Sequence, residues 1–229
     1  GFSFLAQIPR FIFISNFLKI NAFCKQTAVS KSISLSRRSG RKITYRSERI
    51  KFSEIEKINN HDKFIGFERS SDFFKWRYEN HPNFKYESFL VSDHNNRKTA
   101  VILRLDKVRD TDFIHVCDIY GDQTDLSATV AFLENFAHKA DAAFIDFTTT
   151  SSQIVKILRK RGWLSAIDDH YCQIPSLFHP VEITSPATTS LIFWSRKDIP
   201  ETLSLSDITL TKGDLDLDRP TLHFIKSQK

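Results

Sequence analysis

The residues with the most chemical potential cluster at Trp76-Arg77-Tyr78, followed by His81-Pro82 and Tyr86. A guanidinium is a rigid fork of donors that matches a carboxylate or a phosphate. Arg77 is therefore a candidate for holding an anionic group of a substrate, with Trp76 shaping the wall beside it. The same residues also read as an aromatic helix face buried on a sheet. A second group is the acidic run Asp214, Asp216 and Asp218, followed by Arg219. It lacks the remaining ligands and the distal Glu of a calcium loop. It reads as a structured turn whose Asp side chains accept backbone N–H bonds, with Arg219 as their partner. The eight His are dispersed, without an HxxxH or HxH pair. No GxSxG, Walker or Rossmann pattern occurs, and no metal site is expected.

Charge is distributed unevenly. Residues 1–51 hold eleven Lys/Arg and one acid, Glu48, while the rest of the chain holds 22 Lys/Arg and 26 acids. The net charge of +6 thus belongs to the first segment. Arg37-Arg38 and Arg41-Lys42 could touch nucleic acid or an anionic surface. They also read as a solvated linker. No specific nucleic-acid partner is expected, and only weak anionic-surface contact through residues 25–51. The cysteines Cys24, Cys117 and Cys172 are odd in number and form no CxxC. A reducing, cytoplasmic compartment is the expectation. No run of 18 apolar residues exists, so no transmembrane helix is expected. The chain has no Met, even at position 1, which suggests part of a longer protein.

These residues need elements to position them. Phe52, Ile55 and Ile58 fit a short helix capped by Ser53, with Glu56 completing a capping box. Ser70 or Ser71 caps a second helix through Tyr78, which His81-Pro82 ends. Three strands follow over Tyr86–Ser92, Thr99–Leu105 and Phe113–Tyr120, with Asp93-His94-Asn95-Asn96 and Asp110-Thr111-Asp112 as turns. Asp125 caps a helix over Leu126–Lys139, since Leu126, Val130, Leu133, Ala137 and Ala140 share one face. Ala142–Phe147 reads as a buried strand, parallel to Phe113–Tyr120 through a right-handed crossover. A helix through Ile154, Ile157 and Leu158 stops at Arg161-Gly162. Ile167–Ile174 and Ser190–Ser195 complete the strands. The fold class is α/β, with a mixed, mostly antiparallel sheet flanked by helices. Residues 1–24 form an apolar appendage or a remnant of a preceding domain, 25–51 a basic linker, and 52–229 the domain. Gly1-Phe2 with Gln7-Ile8-Pro9 echoes Gly162-Trp163 with Gln173-Ile174-Pro175. The echo is either chance or a sign that residues 1–15 are the last strands of an upstream tandem copy.

The element order, with Trp76-Arg77-Tyr78-x-x-His81-Pro82-x-x-x-Tyr86, Leu158-x-x-x-Gly162-Trp163 and Gly213-Asp214-x-Asp216-x-Asp218-Arg219-Pro220, resembles the GCN5-related N-acetyltransferase superfamily. It is similar in particular to a bacterial subgroup linked with surface-polysaccharide gene clusters. The resemblance implies an acyl-CoA donor such as acetyl-CoA. Its pantetheine would lie between the splayed strands Phe113–Tyr120 and Ala142–Phe147 along Ile119, Tyr120 and Gly121. The pyrophosphate would meet the start of the next helix at Gln123, Ser127 and Ala128. Asp118 is then the expected base for an amine acceptor, or else a carboxylate paired with an Arg such as Arg104. Tyr171 is the expected acid for the thiolate, or else packing. Trp76 and Arg77 are expected at the acceptor, an amino sugar or cell-envelope precursor. A catalytically inactive module of the same fold, binding a glycan or a protein partner, is the other expectation. Within Gln123-Thr124-Asp125-Leu126-Ser127-Ala128, Leu126 stands where the superfamily has Gly, so its side chain is expected to obstruct phosphate. Asp122 and Asp125 add like charge, each costing about 3 kcal/mol at roughly 5 Å and an effective dielectric of about 20.

Overall fold

Strands rich in β-branched and aromatic residues form the antiparallel meander of β5 (Glu87–Ser92), β6 (Lys98–Val108) and β7 (Thr111–Gly121),. The computed structural model describes residues 3–27, 43–58, 65–108, 110–165, 189–194 and 208–215. The turn between β5 and β6 forms at the expected Asp93, whose Oδ1 accepts from the Asn95 and Arg97 amides at 2.8 and 2.9 Å. Helix α4 (Ser127–Lys139) carries the chain over to β8 (Phe144–Thr148), which pairs parallel to β7. Helix α5 (Ser152–Lys160) follows, started by the Ser151 side chain and stopped where Gly162 takes φ +83°. That conformation suits a residue without Cβ.

The sheet has seven strands in the order β3 (Arg46–Arg49), β5, β6, β7, β8, β2 (Arg10–Ile14), β9 (Leu164–Ser165). It is mixed and mostly antiparallel, with helices on both faces, so the chain is α/β. Residues 10–14 supply the strand between β8 and β9, antiparallel to both. The β1 strand (Ser3–Ile8) instead pairs with β10 (Thr189–Trp194), close to the expected Ser190–Ser195 strand, in a separate two-stranded ladder. The expected strand at 167–174 lies outside the described residues.

Alternation assigns side chains to two faces. Phe11, Phe13, Val101, Leu103, Ile114, Val116, Ile145 and Phe147 meet Leu133, Ile154 and Leu158 of the helices α4 and α5. On the other face, Ala100, Ile102, Tyr86 and Cys117 pack with Ile55 of α2 (Phe52–Ile55), Phe74 of α3 (Ser71–Phe74) and Tyr78 of the π-helical turn Lys75–Glu79. Helix α1 (Phe17–Thr27) buries Ile20. Ser70 caps α3 as expected, its Oγ accepting from the Phe73 amide at 3.2 Å. The expected Ser53 cap of α2 is corrected. Lys51 is the cap residue, and its amide donates to Glu54 Oε2 at 2.7 Å.

One irregularity shapes the site. Leu103 faces Val116 but Ile102 faces Asp118, so Cys117 is an extra residue in β7. Such a bulge bends its strand. Pairing of β7 with β8 ends at Val116 opposite Phe147, while β7 runs on to Gly121. The two strands therefore part, leaving a cleft between the end of β7 and the end of β8.

Candidate functional site

The cleft is filled by the chain itself. β11 (Ile208–Thr209) lies parallel to β4 (Ile65–Gly66) and leads into a 3-10 turn at Lys212–Asp214. Thr211 bridges antiparallel to Thr149, and the Thr150 amide donates to the Leu210 carbonyl at 3.1 Å. The Leu210 amide donates to Thr150 Oγ1 at 2.8 Å, and Thr150 Oγ1 donates to the Ile208 carbonyl. On the β7 side, Gly213 has no room for a Cβ. One placed there would overlap the Tyr78 hydroxyl and lie 3.0 Å from Asp118 Oδ2 and 3.3 Å from the Cys117 carbonyl.

Asp118, the expected base, is 1% exposed at the wall of this cleft. Its Oδ2 accepts from Arg69 Nε at 2.8 Å and from the Tyr78 hydroxyl at 3.3 Å. Its Oδ1 accepts from the Thr211 hydroxyl at 3.1 Å and from the Ile119 amide at 3.0 Å. The partner is thus Arg69 and not the expected Arg104, which pairs with Asp106 Oδ2. Arg69 also grips Asp214, with Nη1 2.6 Å from Oδ1 and Nη2 donating to Oδ2 at 2.8 Å, and its guanidinium lies 4.7 Å over the Phe73 ring. Burial pushes the Asp118 carboxyl above its ordinary 3.8; Arg69 opposes this and Asp214 adds to it. Burial, helped by Asp118, likewise raises the Tyr78 phenol well above 10.0.

Arg77 does not face an open acceptor pocket. Its Nε donates to the Gly213 carbonyl at 2.7 Å, and Nη2 donates to the Lys212 and Leu215 carbonyls at 3.3 and 2.8 Å. The expectation of a buried Trp76 is also corrected: it is 69% exposed, because the π-helical turn aims Arg77 and Tyr78 inward and leaves Trp76 outside. The Asp214 turn forms as expected, with the Thr211 amide donating to Asp214 Oδ2 at 2.8 Å. Its arginine partner among the described residues is Arg69; Asp216, Asp218 and Arg219 lie outside them, as does Tyr171.

A second ionic cluster adjoins the first. His115 of β7 stands directly opposite Asp146 of β8 and Arg104 of β6, forming a polar row across three strands. His115 Nδ1 lies 2.7 Å from Asp146 Oδ1, and His115 Nε2 lies 3.2 Å from Asp106 Oδ2. Arg10 of β2 holds the other Asp146 oxygen at 2.6 Å. Lys212, from the segment in the cleft, sends its ammonium to Asp146 Oδ1 and to within 3.0 Å of His115 Nδ1. Burial alone would raise Asp146, but Lys212, His115 and Arg10 hold it well below 3.8. Burial lowers Lys212, with Arg10 helping and Asp146 opposing. For Asp106, a hydrogen bond from His115 and the Arg104 charge outweigh burial and bring it to about 2.

The start of α4 faces a groove of about 460 Å³ that includes Ser127, Ala128, Asp93, His94, Asp125, Lys160 and Arg161 in its lining. Leu126 does not obstruct it as expected, because its side chain is fully buried in the core. Asp125 Oδ1 accepts from the Ser127 amide at 3.0 Å, and its Oδ2 lies 3.3 Å from Arg97, so its charge is partly offset. Asp122 Oδ1 accepts from the Thr124 amide at 2.9 Å. Gln123 is buried, with Oε1 accepting from the Ser151 hydroxyl at 3.3 Å. Ile119 is buried in the core, Tyr120 stacks edge-on with Phe74, and Gly121 takes φ +117° at the end of β7.

Of the expected site residues, Asp118 and Arg77 both bind the 211–215 segment, whereas Ser127 and Ala128 line the separate groove. Arg69, Thr211, Lys212, Asp146, His115 and Arg10 were not expected there. Their one sequence signal is a charged or imidazole side chain inside an otherwise apolar strand, as at His115 and Asp146. No protein-family model and no curated protein sequence matches this chain.

Proposed function

We propose that this chain is an acyl-CoA-dependent N-acyltransferase domain resembling the GCN5-related N-acetyltransferase superfamily, acting on an amine. The observation that carries this reading is the parting of parallel strands β7 and β8 at the Cys117 bulge, beside an open groove at the start of α4. An acyl-CoA pyrophosphate would sit in that groove near Ser127 and Ala128, with Lys160 as its cationic partner. Pantetheine would follow the β7 end along Ile119, Tyr120 and Gly121 into the cleft. Asp118 would take the amine proton once Thr211 and Gly213 have withdrawn from it. Tyr171 remains the proposed acid for the leaving thiolate, and Trp76 a wall for the acceptor. An amino sugar or cell-envelope precursor is the favoured acceptor class. The proposed setting is the cytoplasm; among the described residues no helix is long and apolar enough to cross a membrane.

A second reading has its own observation. Asp118 is sealed by Arg69, Tyr78 and Thr211, and the Ser127 amide already donates to Asp125, although Leu126 and not the expected Asp125 is the cap residue of α4. Both favour a catalytically inactive module of the same fold that binds a glycan or a protein. Calorimetric titration of acetyl-CoA into the full chain separates the two. The acyltransferase reading expects binding that Lys160→Glu weakens at least tenfold. A folded sample that binds no acetyl-CoA, either as parent or as Gly213→Ala, whose added Cβ would meet the Tyr78 hydroxyl and push the 211–215 segment from the cleft, overturns it in favour of the inactive module.

A further inference from the structure

Two stretches of the chain carry the same signature in the same order, a Gly-aromatic pair and then Gln-Ile-Pro: Gly1-Phe2 with Gln7-Ile8-Pro9, and Gly162-Trp163 with Gln173-Ile174-Pro175. The strands that follow these pairs form two ladders of one kind. Leu164 and Ser165, directly after Gly162-Trp163, pair antiparallel with Ile12 and Phe11 of β2. Ser3 and Phe4, directly after Gly1-Phe2, pair antiparallel with Trp194 and Phe193 of β10. By position β1 corresponds to β9, and β10 corresponds to β2. The last two share an uninterrupted apolar triplet, Phe11-Ile12-Phe13 and Ile192-Phe193-Trp194. The correspondence stops at one edge. β2 is interior, paired with β9 on one side and β8 on the other, whereas β10 pairs with β1 and, among the described residues, no strand takes its other edge.

Two observations say what belongs there. β3, which ends the seven-stranded sheet, reads Arg46-Ser47-Glu48-Arg49 and is exposed throughout, and such charge keeps an edge from pairing,. β10 reads Thr-Ser-Leu-Ile-Phe-Trp, with no charge and no proline, the composition of an interior strand,. Second, Pro9 alone separates β1 from β2. The commonest short hairpins need two loop residues, so β1 does not fold back on β2 and the chain passes from one ladder into the other. A connection too short to close favours exchange of identical elements between copies. We infer that β1 and β2 are the last two strands of a second copy of this fold lying ahead of it in the polypeptide, and that the two copies exchange closing strands. β2 closes this sheet beside β8. β10 closes the other copy's sheet, between β1 and that copy's counterpart of Phe144–Thr148. The exchange holds whatever reaction the fold performs.

The coding sequence directly ahead of the Gly1 codon should encode that copy: a three-strand meander, a crossover helix, a short apolar strand, and a helix with an apolar residue four positions before Gly1, as Leu158 precedes Gly162. An unrelated sequence there overturns the inference. In the longer chain so defined, residues 189–194 should exchange their amide hydrogens about tenfold or more slowly relative to the 229-residue chain, because only there are both edges of β10 paired,. Residues 10–14 should be protected in both chains. Cysteines placed at Ile14 and Phe144, which face each other across β2 and β8, should form a disulfide in the longer chain, as exchange requires,. Equal exchange at 189–194 in the two chains, or cysteines that stay reduced in a folded longer chain, would each overturn the inference. If the cysteine variant does not fold, the exchange rates of the unsubstituted chains decide alone.

Discussion

At the scale of the residue, the decisive feature is how Asp146 and Asp118 are compensated. Asp146 is shared by Arg10, Lys212 and His115. Removing it leaves buried cations without their anion, which costs about 3–5 kcal/mol by the usual penalty for breaking a buried pair. Asp146→Ala should therefore shift the urea midpoint far below the parent's, with little change in slope. Acid should act through the depressed carboxylates. Asp106 titrates at about 2 in the fold and near 3.8 when unfolded, so the unfolded chain binds the extra proton between those values,. The stability it contributes is present above 3.8 and is lost as pH falls towards 2. Asp106→Asn should remove about 2 kcal/mol of that loss, measured as urea stability against pH. Asp118 has the opposite sign. Its raised carboxyl favours the fold below 3.8, and that contribution disappears as pH rises through the folded value. From the sequence, Asp118 was legible as a special carboxylate at a strand end. Its true partner was not, because Arg69 is 49 positions away and lies before the meander.

At the scale of the element, local rules worked where structure is local. The meander, the Asp93 turn, the Ser70 cap, the α4 crossover and the Gly162 stop were all readable from residue type and spacing. Strand neighbours far apart in sequence were not. Nothing in Arg10–Ile14 specifies Phe144–Thr148 as its partner, yet the two run in full antiparallel register. Nor does the sequence mark Cys117 as a bulge residue, since the extra residue preserves an apolar run. The end of β7 offers a direct check. Gly121 takes φ +117°, and a Cβ there would lie 2.6 Å from the Lys98 carbonyl. Gly121→Ala should cost about 2 kcal/mol or more in denaturant unfolding, from backbone strain and this contact together.

At the scale of the whole molecule, the first residues and the last described ones meet across the sheet. Arg10 and Lys212 converge on one carboxylate, so residues 10–14 and 208–215 are coupled through Asp146. Phe11, Ile12 and Phe13 are buried to within 1%, each contributing about 1.5–3 kcal/mol of burial,. Deleting residues 1–16 should therefore abolish the cooperative thermal transition seen by circular dichroism. This organisation explains why composition alone was a poor guide to the first segment. Arg10, counted in that segment's surplus of Lys and Arg, serves as a buried counter-ion to Asp146. The central claim is that a donor cleft exists between β7 and β8 and is filled by the chain's own Ile208–Leu215. The most direct measurement is calorimetric titration of acetyl-CoA into the full-length parent and the Gly213→Ala variant. The account predicts micromolar binding by the variant, at least tenfold tighter than by the parent. No heat of binding from either folded sample would contradict it.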